Sequence, residues 1–168
     1  MSRIKDLQKQ VIKVLNDTDE PAKAMAHLHG VSLAAVMIAK KRGENVELAA
    51  MAGLLHDLWA YKSGSYDDHA HLGADYARKV LKELTTPEET EIICSAIYHH
   101  DDKAGVDSPM DEVLKDADVI DHTFSDPTKE IKEKERARYE KLCEEFGIGN
   151  NQKIDQFVRD IQEKDTSI

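Results

Sequence analysis

The sequence predicts an all-α protein, and three features carry that prediction. Apolar residues recur at intervals of three and four almost throughout, the alternation and turn pairs of strands are missing, and Gly43, Pro87 and Pro127 fall where helices would stop or start. A first amphipathic helix carries Ile4, Leu7, Val11 and Leu15 and ends near Asn16-Asp17. The second runs from about Ala22 to Arg42 and stops at Gly43, a residue suited to the left-handed cap. The third, Leu48 to about Leu58, reads LAAMAGLLHDL and is apolar nearly all round, which places it at the centre of the domain. A loop from Tyr61 to Asp68 leads to a helix over about His69–Leu84. Pro87 opens the next helix, with Glu88, Glu89 and Glu91 at its positive end, and it finishes near His100. A further helix covers Met110 to about Phe124. Beyond Asp126-Pro127 come two charged helices, about Thr128–Phe146 and Asn151–Glu163, whose stripes Ile131, Tyr139, Leu142, Phe146 and Ile154, Phe157, Val158, Ile161 serve as covers. No repeat or low-complexity segment interrupts the chain, so one domain is expected over residues 1–168.

Composition narrows the function. With 40% hydrophobic and 33% charged residues the chain is globular and neither disordered nor membrane-like. A net charge of -10, from 23 Lys plus Arg against 33 Asp plus Glu, excludes broad binding to a nucleic-acid duplex. A small anionic substrate stays compatible, because a bound metal reverses the local field. The start, MSRIKDLQKQVIKVL, interleaves charges with apolar residues, and no later stretch approaches the length of a bilayer span; a cytoplasmic protein is expected. Cys94 and Cys143 have no CxxC spacing and read as reduced thiols.

The chemistry gathers around histidine. His56 and Asp57 end the most apolar helix of the chain, where an imidazole and a carboxylate are costly unless something satisfies both. His69 heads the inward stripe continued by Gly73, Ala77 and Leu81, whereas His71 shares its side with Asp75, Arg78 and Lys82 and faces water. His100 continues the row Ile93, Ala96, Ile97, while His99 falls beside Ser95. On the second helix His27 aligns with Val31, Ala35 and Ile38, and His29 with Leu33 and Val36, so periodicity leaves both open. In LKDADVID, Asp116, Asp118 and Asp121 compete for the inward place. Histidines and acids at inward positions on separate helices make a nitrogen-plus-oxygen set suited to Fe, Mn, Zn or Co better than to Mg or Ca.

In order, HLHGV, AGLLHDL, HAHLGA, AIYHH and DAD resemble the H…HD…D signature and flanking contexts of the HD-domain metal-dependent phosphohydrolases. The likeness spans about Lys23 to Phe124, with the C-terminal helices, about 128–163, outside it. The H-x-x-x-V context selects His27 over His29, and A-D selects Asp118. What the resemblance implies is a helical fold with one metal held by His27, His56, Asp57 and Asp118. In the two-metal subset, histidines placed like His69 and His100 hold a second ion and the aspartate of the doublet bridges. One or two divalent transition-metal ions are therefore expected, with His56 and Asp57 as the catalytic pair. The chain lacks the G-Y-P motif of one cyclic-dinucleotide phosphodiesterase group, and its His69 and His100 contexts resemble small bacterial hydrolases, including those that cleave dinucleoside polyphosphates.

The expected reaction is attack by metal-activated water on a phosphomonoester, a nucleotide or a dinucleoside polyphosphate. Lys62, Arg78 and Lys103 lie near ligand positions in sequence and are the candidates for holding phosphate oxygens; Trp59 and Tyr61 are candidates for stacking on a base. Two other functions share the pattern. A di-iron HD-type oxygenase would use a similar ligand set for O₂ chemistry, and a non-catalytic signalling module would usually have lost ligands, whereas here every position is filled.

Overall fold

The computed structural model describes residues 2–149. Among them lie eight helices and no strand: α1 Arg3–Leu15, α2 Pro21–Arg42, α3 Val46–Leu55, α4 Leu58–Ser63, α5 His69–Leu81, α6 Pro87–His99, α7 Pro109–Phe124 and α8 Glu133–Phe146. The element at the centre is α3, whose residues Leu48 to Leu55 are all buried. Asn45 starts it by accepting from the backbone N–H groups of Glu47 and Leu48 at 3.0 and 3.2 Å. Reciprocal capping boxes start α6 (Thr86 with Glu89) and α7 (Ser108 with Asp111). Gly43 ends α2 at φ 80°, where a side chain would be strained.

Three other glycines set how closely the helices approach. A Cβ on Gly53 of α3 would lie 2.5 Å from the Cα of Ser32, so α2 and α3 touch backbone to backbone. Ser32 Oγ then reaches across to donate to the Ala50 carbonyl at 2.9 Å. A Cβ on Gly30 of α2 would collide with Oδ1 of Asp121 on α7, 1.8 Å away, and one on Gly73 of α5 would sit 3.2 Å from the His56 carbonyl. These are the contacts that bring α2, α7 and α5 against the end of α3. On the far side α8 is held by ion pairs: Arg42 of α2 bridges Asp116 and Glu145 at 2.7 Å each, and Arg138 of α8 reaches Glu112 and Asp116 of α7 at 2.8 and 3.0 Å.

The structure corrects several expected boundaries. The third helix does not run through to Leu58; it ends at Leu55, His56 is its cap, and Asp57 turns the chain at φ −106°, ψ 6° before α4 begins. The loop expected from Tyr61 starts only after Ser63, because α4 takes its first residues. The helix expected to reach Leu84 ends at Leu81. That expected from Thr128 begins at Glu133, after a turn in which Asp126 accepts from Thr128. The last expected helix, Asn151–Glu163, lies outside the described residues. Finally, α2 has 22 residues and a mean hydropathy of 1.3 over its best window, so by length and composition alone it could cross a bilayer, contrary to the expectation that no stretch approaches that length. Here it buries Ala24, Leu28, Val31, Ala35 and Ile38 in the core. Both cysteines are free and buried.

Candidate metal centre

The turn at Asp57 makes the centre. On a continuous helix consecutive side chains diverge by about 100°; the break lets His56 and Asp57 face one point. His56 is fully buried and Asp57 is 7% exposed. Around them stand His27 from the second turn of α2, His69 at the start of α5, His100 at the cap of α6 and Asp118 from the middle of α7. All six residues read as ligands in the sequence are thus brought together.

Their donor atoms fall into two sets. In the first, His27 Nε2 and His56 Nε2 are 3.1 Å apart, and each lies 3.7 Å from Asp57 Oδ2 and 3.6 Å from Asp118 Oδ1. In the second, His69 Nε2 and His100 Nε2 are 3.3 Å apart, at 3.4 and 3.3 Å from the other Asp57 oxygen, Oδ1. Ligands about 2.1 Å from one ion lie about 3.0 Å apart at right angles and about 3.4 Å apart at a tetrahedral angle. The second set and the His27–His56 pair match, while the nitrogen-to-oxygen distances of the first set, 3.6 and 3.7 Å, are a few tenths of an ångström wider. Asp57 belongs to each through a different oxygen.

Hydrogen bonding fixes which nitrogen is bare. His56, His69 and His100 each direct Nδ1 at a backbone carbonyl, of Gly53, Tyr66 and Ile97, at 2.9, 2.8 and 2.7 Å. A carbonyl only accepts, so each Nδ1 carries a hydrogen and each ring turns its Nε2 inward as the nitrogen available to a metal. His27 does the same through a carboxylate, Asp121 Oδ2, at 2.7 Å. Paired Nε2 atoms at 3.1 and 3.3 Å, facing carboxylate oxygens, need a proton or a metal cation between them. Asp57 Oδ1 and Asp118 Oδ1 are buried without a hydrogen-bond partner, which such a cation would supply. The residues therefore fit a pair of divalent ions.

The local field points the same way. Burial alone would raise the Asp57 carboxyl, but the imidazoles of His56, His100 and His27 hold it well below the usual range; for Asp118, Lys103 and His56 override burial likewise. Burial would depress His27, yet its bonds to Asp121 and Asp57, with the Asp118 charge, push it up to about 10. A proton and a metal ion compete for that nitrogen, and the acids attract either.

Three more residues belong to this centre: Asp121, weighed in the sequence only as a rival of Asp118 for the inward place, and His122 and Glu135, which sequence reading missed. Asp121 orients His27; His122 brings Nε2 to 3.5 Å from Asp118 Oδ1 and stacks on His27 at 5.3 Å; and Glu135, nearly fully buried, holds His122 Nδ1 at 3.1 Å. The spacing from Asp118, three and four residues, was the available signal for the first two. His71 is exposed, pairs with Asp68 and stacks on Tyr98, and His29 is exposed on α2.

The centre opens into a cavity of about 760 Å³ whose basic side chains are Lys23, Lys129, Lys132 and Lys134. None of the three phosphate-binding candidates read from sequence lines it. Lys62 is exposed over the rings of Trp59 and Tyr76, Arg78 pairs with Glu91 in solvent, and Lys103 is buried with its ammonium on Asp118. Nearness in sequence did not mean nearness to the opening. Tyr61 and Tyr66 line the cavity, whereas Trp59 packs on Tyr76.

Comparison with known proteins agrees with this arrangement. The family model described as HD domain matches residues 25–124, which contain every donor of both sets. Among solved structures, the chain is similar to a predicted HD superfamily hydrolase from an uncultured Thermotogales bacterium, with 22% identity over 90% of this chain and 91% of that one and a TM-score of 0.57. That likeness is one of fold. With the match covering well over half its length, the chain belongs to the HD domain family.

Proposed function

We propose that the protein is a metal-dependent phosphohydrolase acting on a small phosphorylated substrate, a phosphomonoester, nucleotide or dinucleoside polyphosphate, in the cytoplasm. The observation that carries this reading is the pair of donor sets sharing Asp57 at the floor of a cavity with lysines on its outer wall. Divalent transition-metal ions such as Fe, Mn, Zn or Co, held by His27, His56 and Asp118 and by His69 and His100 with Asp57 between them, would supply an activated water and offset charge on a phosphoryl oxygen. The chain's own residues do the rest. Asp57 fixes the two positions relative to each other through its two oxygens. His122, held by Glu135 and turned toward the cavity, stands where it can contact a phosphoryl group beside Asp118. Lys23, Lys129, Lys132 and Lys134 line the cavity, each paired with an acid (Glu20, Asp126, Glu135 and Asp101), and are the ammonium groups a phosphate chain could take over from those carboxylates. Tyr61 and Tyr66 offer ring faces beside the metal sets for a base or another planar group.

The test is a panel. Protein purified without chelators and loaded in turn with Mn, Fe, Co and Zn is offered phosphomonoesters, nucleotides and dinucleoside polyphosphates while phosphate release and O₂ consumption are followed. The reading predicts metal-dependent phosphate release that His56→Ala abolishes. Turnover that requires O₂ would assign the centre to an oxygenase, and metal uptake without any turnover would leave a binding module.

A further inference from the structure

The side chain of Lys103 is only 2% exposed, yet its ammonium ends beside a cation site. Nζ donates to Asp118 Oδ2 at 2.6 Å and to the His100 carbonyl at 2.8 Å, so it joins a ligand-bearing residue of the first set to one of the second. Its backbone is fixed as firmly, since the Lys103 carbonyl accepts from Arg138 Nε at 2.7 Å and Arg138 also binds Asp116, two residues from Asp118. A buried ammonium repels a neighbouring metal ion and costs desolvation, so its place here calls for a compensating role. The geometry points to one. Asp118 Oδ2 is occupied by Lys103, while Oδ1, which accepts no hydrogen bond, faces His27, His56 and His122.

We propose that Lys103 is a positioning residue that confines Asp118 to one-oxygen ligation and so keeps a coordination position of the first ion free. An open position is what separates a catalytic metal site from a closed, structural one. Freed from Lys103, the carboxylate could turn both oxygens to the ion, which would hold the metal at least as tightly and leave less room for reactants. The inference rests on the metal-dependent reading above.

Cobalt(II) reports the difference directly, because its visible absorption weakens as coordination number rises. Wild type, Lys103→Met and Lys103→Arg are titrated with Co(II), their thermal melts are recorded, and turnover of p-nitrophenyl phosphate is measured. Lys103→Met should bind Co(II) no more weakly than wild type, with weaker visible absorption. Its kcat should fall about 10-fold or more, the range for changes just outside the ligand shell, with little change in KM. Lys103→Arg, which restores the charge, should recover much of the wild-type spectrum. If Lys103→Met does not fold, Lys103→Leu, neutral and without a donor, is read by the same criteria. An unchanged Co(II) spectrum in the neutral variant, or loss of Co(II) binding in parallel with a lowered melt, would make Lys103 a strut of the fold and overturn the inference. Wild type that takes up no Co(II) would remove the metal centre itself, and this role with it.

Discussion

The two donor sets share one carboxylate but are built differently. The first takes His27 from the second turn of α2 and Asp118 from the middle of α7, helices in close contact at Gly30, and closes with the fully buried His56 at the cap of α3. The second takes His69 from the first turn of α5 and His100 from the cap of α6, with Nδ1 held by local carbonyls three residues back. Helix ends fray and helix middles do not. One set therefore draws two of its donors from helix interiors and the other draws both histidines from helix ends, although both sets line the same cavity. The difference teaches that the first position should hold its ion more persistently, and that Asp57 is the residue on which both depend.

Several measurements would break or sharpen that contrast. The largest effect is expected for Asp57→Ala, which removes an oxygen from both sets: metal analysis should find neither ion, and activity should drop by more than about 100-fold, beyond the range typical of outer-sphere changes. One ion retained at full occupancy would show that the sets are independent. His69→Ala or His100→Ala should lose one of two ions and keep the other, giving half the wild-type metal content; complete loss would erase the distinction between the two sets. Asp121→Asn leaves all donors in place but weakens the orientation of His27, so metal affinity should fall about 10- to 100-fold. At the small end, His71→Ala, Lys62→Ala and Arg78→Ala should each change activity and affinity by no more than about twofold, as surface positions do.

Much of this contrast was legible in the sequence, and the exceptions have physical reasons. Helical periodicity placed His69 and His100 on inward stripes and His71 on an outward one, because burial of a helix face is written in its neighbours at three and four residues. The break between α3 and α4 was not legible: LLHDLWAY contains no glycine or proline, and the turn at Asp57 arises where the chain meets other helices. Asp121 was visible as a candidate inward acid but not as the partner of His27, and His122 only as a neighbour of Asp118 at helical spacing, once Asp118 itself was placed. The burial of Lys103 was not legible, because it depends on the Arg138 clamp from α8, far away in sequence. Lys129, Lys132 and Lys134 sit beside the cavity because the chain turns after Asp126, a feature that periodicity, which predicted a helix there, could not supply.

The central claim is that Asp57 bridges two metal positions, and anomalous scattering from crystals soaked in excess Mn tests it most directly. The account predicts two peaks about 3.5–4 Å apart, one against His27, His56 and Asp118, the other against His69 and His100, with an oxygen of Asp57 on each. No peak at these residues, or a single peak with His69 and His100 left unligated, would contradict it.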